Sequence, residues 1–295
     1  GIVFRNDVVE TNEINIITEG QNYVYSGGGV ATGDVNNDGL PDIFLVGNMT
    51  SSKLYLNKGN LTFEDVSTTS GIATNNWCTG VTMIDINNDG WLDIFVGSYG
   101  YPTIEKARCW LFVNQKNGKF IEKAEEYGLI NRNTNVSQAS FFDYDQDGDM
   151  DVYLAIYPSK YKDEINFDFE DRYPTKIGSD KLLENINNKT FKDVSAKANI
   201  MPENAYALSI LTTDINNDGW IDIYVGNDFA ANNFLYINQG NKTFKESVRD
   251  YFDHTSFYTM GMETGDINGD ALPDIMELDM NPESNQKYKV DFHEF

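Results

Sequence analysis

Five stretches of the chain space acidic and amide side chains in a way that suits one kind of chemistry, the capture of a hard cation. They read DVNNDGLPD from Asp34, DINNDGWLD from Asp85, DYDQDGDMD from Asp143, DINNDGWID from Asp214 and DINGDALPD from Asp266. Oxygen-bearing side chains fall at loop positions 1, 3, 5 and 9. A backbone carbonyl at position 7 can join them when the chain curls, and Gly at position 6 permits the curl. The inferred ligands of the first loop are Asp34, Asn36, Asp38 and Asp42, with the carbonyl of Leu40. Those of the second are Asp85, Asn87, Asp89 and Asp93, with Trp91 at position 7. The third offers Asp143, Asp145, Asp147 and Asp151, with Asp149 at position 7. The fourth offers Asp214, Asn216, Asp218 and Asp222 with Trp220, and the fifth Asp266, Asn268, Asp270 and Asp274 with Leu272.

The side-chain donors are all oxygens, with no His or Cys among them. That excludes a zinc-type site and favours Ca2+ over Mg2+, which keeps its waters. About five calcium ions, one per loop, are expected. An EF-hand would need a bidentate acid at position 12, where four loops carry Leu45, Val96, Leu154 and Val225 and only the fifth carries an acid, Glu277. The third loop, with four ligand carboxylates plus Asp149, is expected to attract calcium most strongly. The fifth has Ala271 in place of the loop Gly and is expected to be the weakest or most distorted.

The elements that must hold these loops recur with them. The loop starts are separated by 85−34 = 51, 143−85 = 58, 214−143 = 71 and 266−214 = 52 residues, so the chain is a repeat protein. In the first unit, residues 27–35 read as a strand, 41–47 as a second, 52–57 as a third and 61–67 as a fourth. Four short antiparallel strands per unit of about fifty residues is the pattern of a β-propeller blade. The second strands, DIFLV, DIFV, DVYLAIY and DIYV, are apolar on both faces and must be covered on both. The expected fold is therefore an all-β propeller of four-stranded antiparallel blades, with four full repeats and part of a fifth.

One domain is expected over 1–295. Residues 1–26 form a lead-in whose segment 2–8 looks like an orphan fourth strand that closes a ring. Blades follow at 27–70, 71–130, 131–200 and 201–253, with a partial fifth at 254–295. The chain is expected to be part of a longer propeller, five-bladed closure through residues 2–8 being the alternative. The third unit carries an insertion at 157–180, rich in Tyr, Phe and charge, which reads as a solvated loop with a lid or partner-binding loop as the alternative. The triplet Gly27-Gly28-Gly29 precedes a strand rather than a helix, so it marks close chain approach near a central channel, not phosphate binding.

Composition narrows the partners. The net charge of −24, from 46 acidic and 22 basic residues, argues against a nucleic-acid backbone. No run of about 18 apolar residues is present, so no membrane-spanning helix is expected. Cys78 and Cys109 fall in strands one and three of one blade, ~9.6 Å apart. Two separate buried thiols are expected, with a disulfide as the alternative. No nucleophile elbow, zinc-binding HExxH or phosphate-cradling loop occurs, so no catalytic residue and no organic cofactor is assigned. His254 reads as a structural residue, and the paired Trp91 and Trp220 as packing groups.

With their flanking strands these loops resemble the FG-GAP/VCBS repeats of integrin α-subunit propellers and of bacterial secreted proteins. GGGVATGDVNNDGLPDIFLVGN, TGVTMIDINNDGWLDIFVG and HTSFYTMGMETGDINGDALPDI are most similar to a bacterial cartilage-acidic-protein-like group. The resemblance implies a calcium-stabilised propeller, typically seven-bladed, secreted or surface-exposed and part of a larger protein. The function expected from it is a non-catalytic binding or scaffold module for a protein or glycan partner. Its expected location is extracellular or at a bacterial cell surface, including an outer-membrane lipoprotein or a subunit of an outer-membrane assembly. A lyase-like enzyme acting on polysaccharide, or an accessory subunit of glycan uptake, is the alternative.

Overall fold

The computed structural model describes residues 1–8, 27–74, 76–101, 103–157, 179–202, 205–228, 232–256, 258–270 and 272–280. The first sheet runs β1 (Val30–Gly33), β2 (Asp42–Leu45), β3 (Lys53–Asn57) and β4 (Phe63–Asp65). The second is β5 (Trp77–Ile84), β6 (Asp93–Tyr99), β7 (Trp110–Asn114) and β8 (Phe120–Glu122). The third is β9 (Asn135–Phe142), β10 (Asp151–Tyr157), β11 (Lys181–Ile186) and β12 (Thr190–Asp193), and the fourth is β13 (Tyr206–Thr213), β14 (Asp222–Asp228), β15 (Phe234–Asn238) and β16 (Phe244–Glu246). The fifth pairs β17 (Thr259–Gly265) with β18 (Asp274–Asp279). Every pairing is antiparallel and between chain neighbours, the up-and-down order of a propeller blade.

One register repeats in all five sheets. The residue before position 1 of each loop faces the position-9 Asp: Gly33 opposite Asp42, Ile84 opposite Asp93, Phe142 opposite Asp151, Thr213 opposite Asp222 and Gly265 opposite Asp274. A fixed register fixes the loop, because a slip of one residue would turn every side chain to the other face.

Consecutive first strands touch along the chain, β1 to β5, β5 to β9, β9 to β13 and β13 to β17. Residues of all five sheets, among them Val30, Val81, Gln138, Leu208 and Met260, line one cavity of about 320 Å³. The sheets therefore fan around a shared axis, in a propeller-like arrangement. Apolar layers fill the gaps between them. Phe44, Val46, Ile94 and Phe112 join the first and second sheets, Phe95, Leu111, Val136 and Val152 the second and third, and Tyr153, Leu182, Ile210 and Ile223 the third and fourth. The second strands β6, β10 and β14 are buried at every residue, as their continuous apolar character requires. Sheets at the two ends have a neighbour on one side only among the described residues. There Val30, Met276 and Leu278 are 61%, 55% and 62% exposed.

Residues 2–8 depart from expectation. They form no strand; the Tyr55 hydroxyl donates to the Val3 carbonyl at 2.6 Å, Asn6 pairs with Asn48, and Val8 packs beside Trp77 and Tyr99. Among the described residues their polar contacts are with the first repeat, and the fifth sheet has two strands. Of the expected insertion, Tyr157 belongs to β10 and Asp180 is buried before β11, while 158–178 lie outside the described residues. Ala271 lies outside them too. Both cysteines are free and buried, and desolvation pushes their thiols up to about 11 and about 12, far from reactive thiolates. The glycine triplet does mark close approach: a Cβ on Gly29 would lie 2.7 Å from the Thr79 carbonyl of the next sheet, to which the Gly29 amide donates at 2.8 Å.

Candidate metal centres

Each acidic loop is wound by its own carboxylates. The position-5 amide donates to the position-1 carboxylate in every loop, from Asp38 to Asp34, Asp89 to Asp85, Asp147 to Asp143, Asp218 to Asp214 and Asp270 to Asp266, at 2.9–3.1 Å. The position-7 amides of Leu40, Trp91, Asp149, Trp220 and Leu272 donate to the position-5 carboxylates at 2.9–3.2 Å. Side chains at positions 1 and 5 are thereby drawn to the inside of the curl. Two left-handed residues make the curl possible. Position 6 is Gly at φ 84°, 85°, 93° and 90° in the first four loops, as expected. Position 4 is left-handed as well, at Asn37, Asn88, Gln146, Asn217 and Gly269. Asn and Gly tolerate this conformation best.

The position-9 carboxylate has a second task. One oxygen accepts the amide of position 2, at Val35, Ile86, Tyr144, Ile215 and Ile267, at 2.8–3.2 Å. In the four complete sheets the other accepts the amide of an Asn at or one residue before the end of the third strand, Asn57, Asn114, Asn185 and Asn238, at 2.7–2.8 Å. Asp42, Asp93, Asp151 and Asp222 thus tie loop, second strand and third strand together at one buried point. Burial, aided by the charges of the other loop acids, pushes Asp93, Asp151 and Asp222 up to about 7, about 8 and about 6, and raises Asp42. The groups that would hold a cation are disfavoured as anions while they lack one.

Those asparagines are functional residues that the loop spacing did not reveal. Asn114 Nδ2 donates to the Val35 carbonyl of the first loop at 2.7 Å, and Asn238 Nδ2 to the Tyr144 carbonyl of the third at 2.8 Å, so each clamps its sheet to the loop before it. The signal was present in the sequence, an Asn six residues before Phe63, Phe120, Phe191 and Phe244. Glu277 also finds a role away from the loop. Its carboxylate accepts from the Tyr224 hydroxyl, from Asn233 Nδ2 at 3.2 Å and from Ser256 Oγ at 2.6 Å, tying the fifth sheet to the fourth. Trp220 packs against Gly240 in the adjoining hairpin, where a Cβ would meet its ring at 2.9 Å. His254 is exposed.

The loop most nearly assembled for a metal is the third. Ligand atoms of Asp143, Asp145 and Asp151, at positions 1, 3 and 9, lie within 4.8 Å of one another. The donor set fits a hard cation: it is all oxygen, and at position 3 of the second loop the buried Asn87 Oδ1 accepts no hydrogen bond among the described residues. Asp145 is nearly inaccessible, its side chain 1% exposed, and forms an ion pair with Lys242 from the fourth sheet, which also reaches Glu184 at 2.8 Å. These two acids raise the Lys242 ammonium above its ordinary range.

Comparison with known proteins follows the repeat. The profile of the FG-GAP-like repeat matches residues 34–96 and 214–276. The chain is 29% identical over 132 residues to cartilage acidic protein 1 of Xenopus tropicalis, covering 44% of this chain and 20% of that protein. It is 22% identical over 250 residues to cartilage acidic protein 1 of Mus musculus, covering 84% of this chain and 35% of that one. The chain thus spans between a fifth and about a third of the curated relatives it matches. Among solved structures, the V. cholerae biofilm matrix protein Bap1 aligns with a TM-score of 0.40 at 14% identity, over 85% of this chain and 34% of that one. A Bacillus licheniformis rhamnogalacturonan lyase PL11 aligns with a TM-score of 0.38 at 11% identity, over 85% and 53%. Residues 34–96 and 214–276 are thus similar to the FG-GAP-like repeat, and the chain is distantly similar in sequence to cartilage acidic protein 1.

Proposed function

We propose that the chain is a non-catalytic, calcium-stabilised propeller module that presents a rigid surface to a protein or glycan partner, outside the cell or at its surface. The observation that carries the reading is the fivefold repetition of one oxygen-lined curl, with the third drawing three carboxylates within 4.8 Å. Calcium would be held by positions 1, 3, 5 and 9 and the position-7 carbonyl of each loop, the residues named above. Its chemistry would be structural: cancelling the charge of acids that burial already disfavours, and fixing the connection between first and second strands. Blades at 27–70, 71–130, 131–200, 201–253 and 254–295 would make one domain, a sector of a longer ring. No described helix is long and apolar enough to cross a membrane, which leaves a binding module free of that constraint.

Calorimetric titration with calcium, followed by a glycan array and a polysaccharide lyase assay on the same sample, tests the proposal. Calcium uptake without depolymerisation is expected. Depolymerisation of any glycan would overturn the non-catalytic reading, and a flat titration would overturn the calcium reading.

A further inference from the structure

We propose that Lys242 is a built-in counter-cation of the third loop, which calcium must displace from Asp145, so that this loop fills at higher calcium than the others. The inference rests on the calcium reading of the loops and reverses the ranking that carboxylate number alone gives.

Position 3 is where the third loop differs. Asn36, Asn216 and Asn268 each donate Nδ2 to the position-5 carboxylate of their own loop, at 3.0, 2.9 and 3.1 Å. Asp145 has no such proton to give. It adds a carboxylate to a curl that already holds Asp143, Asp147 and Asp151, and its side chain is 1% exposed. A buried charge in that setting requires a partner. Lys242 supplies one from the turn between β15 and β16, pairing with Asp145 and standing 2.8 Å from Glu184 on β11.

The lysine is held in place by more than its charge. Its backbone is left-handed, φ 66°, at the turn position that Gly118 fills in the second sheet with φ 75°. Such strain persists in a non-Gly residue only where surrounding contacts over-determine it. Asn238, at the start of the same hairpin, is fixed to the Tyr144 carbonyl of the third loop at 2.8 Å, so the hairpin stands over the loop whatever the ammonium does. Lys116 also reaches an acidic loop, 3.3 Å from Asp89. The two lysines are similarly exposed, 46% and 43%, but Asp89 is 26% exposed where Asp145 is 1%, and position 3 of that loop is Asn87, so solvent already screens the Asp89 charge.

An ammonium and a calcium ion held at the same carboxylate repel one another and compete for its single charge. Metal entry would move Nζ off Asp145 while Glu184 retains it, with no proton transferred. Metal release would return the ammonium and keep the third and fourth sheets joined.

Equilibrium dialysis against calcium, with thermal melting in excess chelator, tests the proposal on the full chain and on K242M, D145N and D145N/K242M. K242M should bind one ion more per chain than the parent at low free calcium, its third site tightened about tenfold, or about 1.4 kcal/mol. In chelator K242M should melt below the parent, while D145N/K242M, lacking the charge that needs neutralising, should not melt below D145N. If K242M does not fold, D145N decides: its third loop then resembles the others and should fill with them. Unchanged dialysis curves in every folded variant, with calcium still bound, would overturn the proposal and leave the calcium reading intact. Absence of calcium binding in the parent and all variants would overturn that reading, and the proposal with it.

Discussion

At the scale of single residues, buried carboxylates decide how stability responds to pH. Asp180 is buried and, among the described residues, accepts neutral donors alone, the Tyr153 hydroxyl at 3.0 Å and the Ile156 amide at 2.7 Å. Burial lifts its carboxyl from 3.8 to about 7. Between those values the folded chain keeps a proton that the unfolded chain has released, so this contribution is whole below about pH 4 and is lost as pH rises through 7. The fourth sheet shows the neutral alternative, where Asn233 contacts the Tyr224 hydroxyl and accepts the Asn227 amide. Asp180→Asn should therefore raise the melting temperature by a few degrees at pH 8 and change it little at pH 4, as differential scanning calorimetry would show. The loop acids have the same sign. Metal-free protein should lose stability from about pH 4 to about pH 8 as Asp93, Asp151 and Asp222 ionise. Calcium should remove that loss, so the stabilisation by calcium should grow with pH across this window.

Between elements, the clamp from one sheet to the preceding loop sets cooperativity. Asn238→Ala would strand the Tyr144 and Ile221 carbonyls that its Nδ2 now serves, at 2.8 and 3.2 Å. Leaving buried acceptors unpaired costs about 1–3 kcal/mol, so urea unfolding should show a loss of ~2 kcal/mol. Asn57→Ala, whose Nδ2 serves the exposed Pro41 carbonyl within its own sheet, should cost less. Equal losses would contradict the clamp. The contact between first strands is tighter still: a Cβ on Gly80 would lie 2.5 Å from the Ser137 carbonyl of the next sheet. Gly80→Ala must push two strands apart and should destabilise by about 1–3 kcal/mol in the same measurement.

Over the whole molecule, the sheets share no single core but a series of layers, each needing both neighbours, and the loops sit at corresponding points on every sheet. Ion binding should consequently act on the assembly as a sum. A site at ten times its dissociation constant adds about 1.4 kcal/mol, and five would add ~7 kcal/mol, comparable to the ~5–15 kcal/mol stability of a typical domain. Excess chelator should lower the melting temperature sharply at neutral pH. A melting curve unchanged by chelator would show that the loops are held by their internal hydrogen bonds alone.

The repeat was legible because its two signals are local. Alternation and length separate strands from turns, and the D-x-[DN]-x-D-G-x-x-D spacing encodes a curl whose hydrogen bonds run between residues two to seven apart. The order of the sheets and the four strands of each of the first four therefore followed from sequence alone. Contacts between repeats did not, because they join residues far apart in the chain. Asn238 reaches Tyr144 across 94 positions, and Lys242 meets Asp145 across 242−145 = 97. Sequence counts the carboxylates of the third loop and ranks it first, whereas the tertiary structure brings an ammonium into it. Likewise, 2–8 has the pattern of a strand, whereas among the described residues its polar contacts fall on Tyr55 and Asn48 of the first repeat, more than forty positions away.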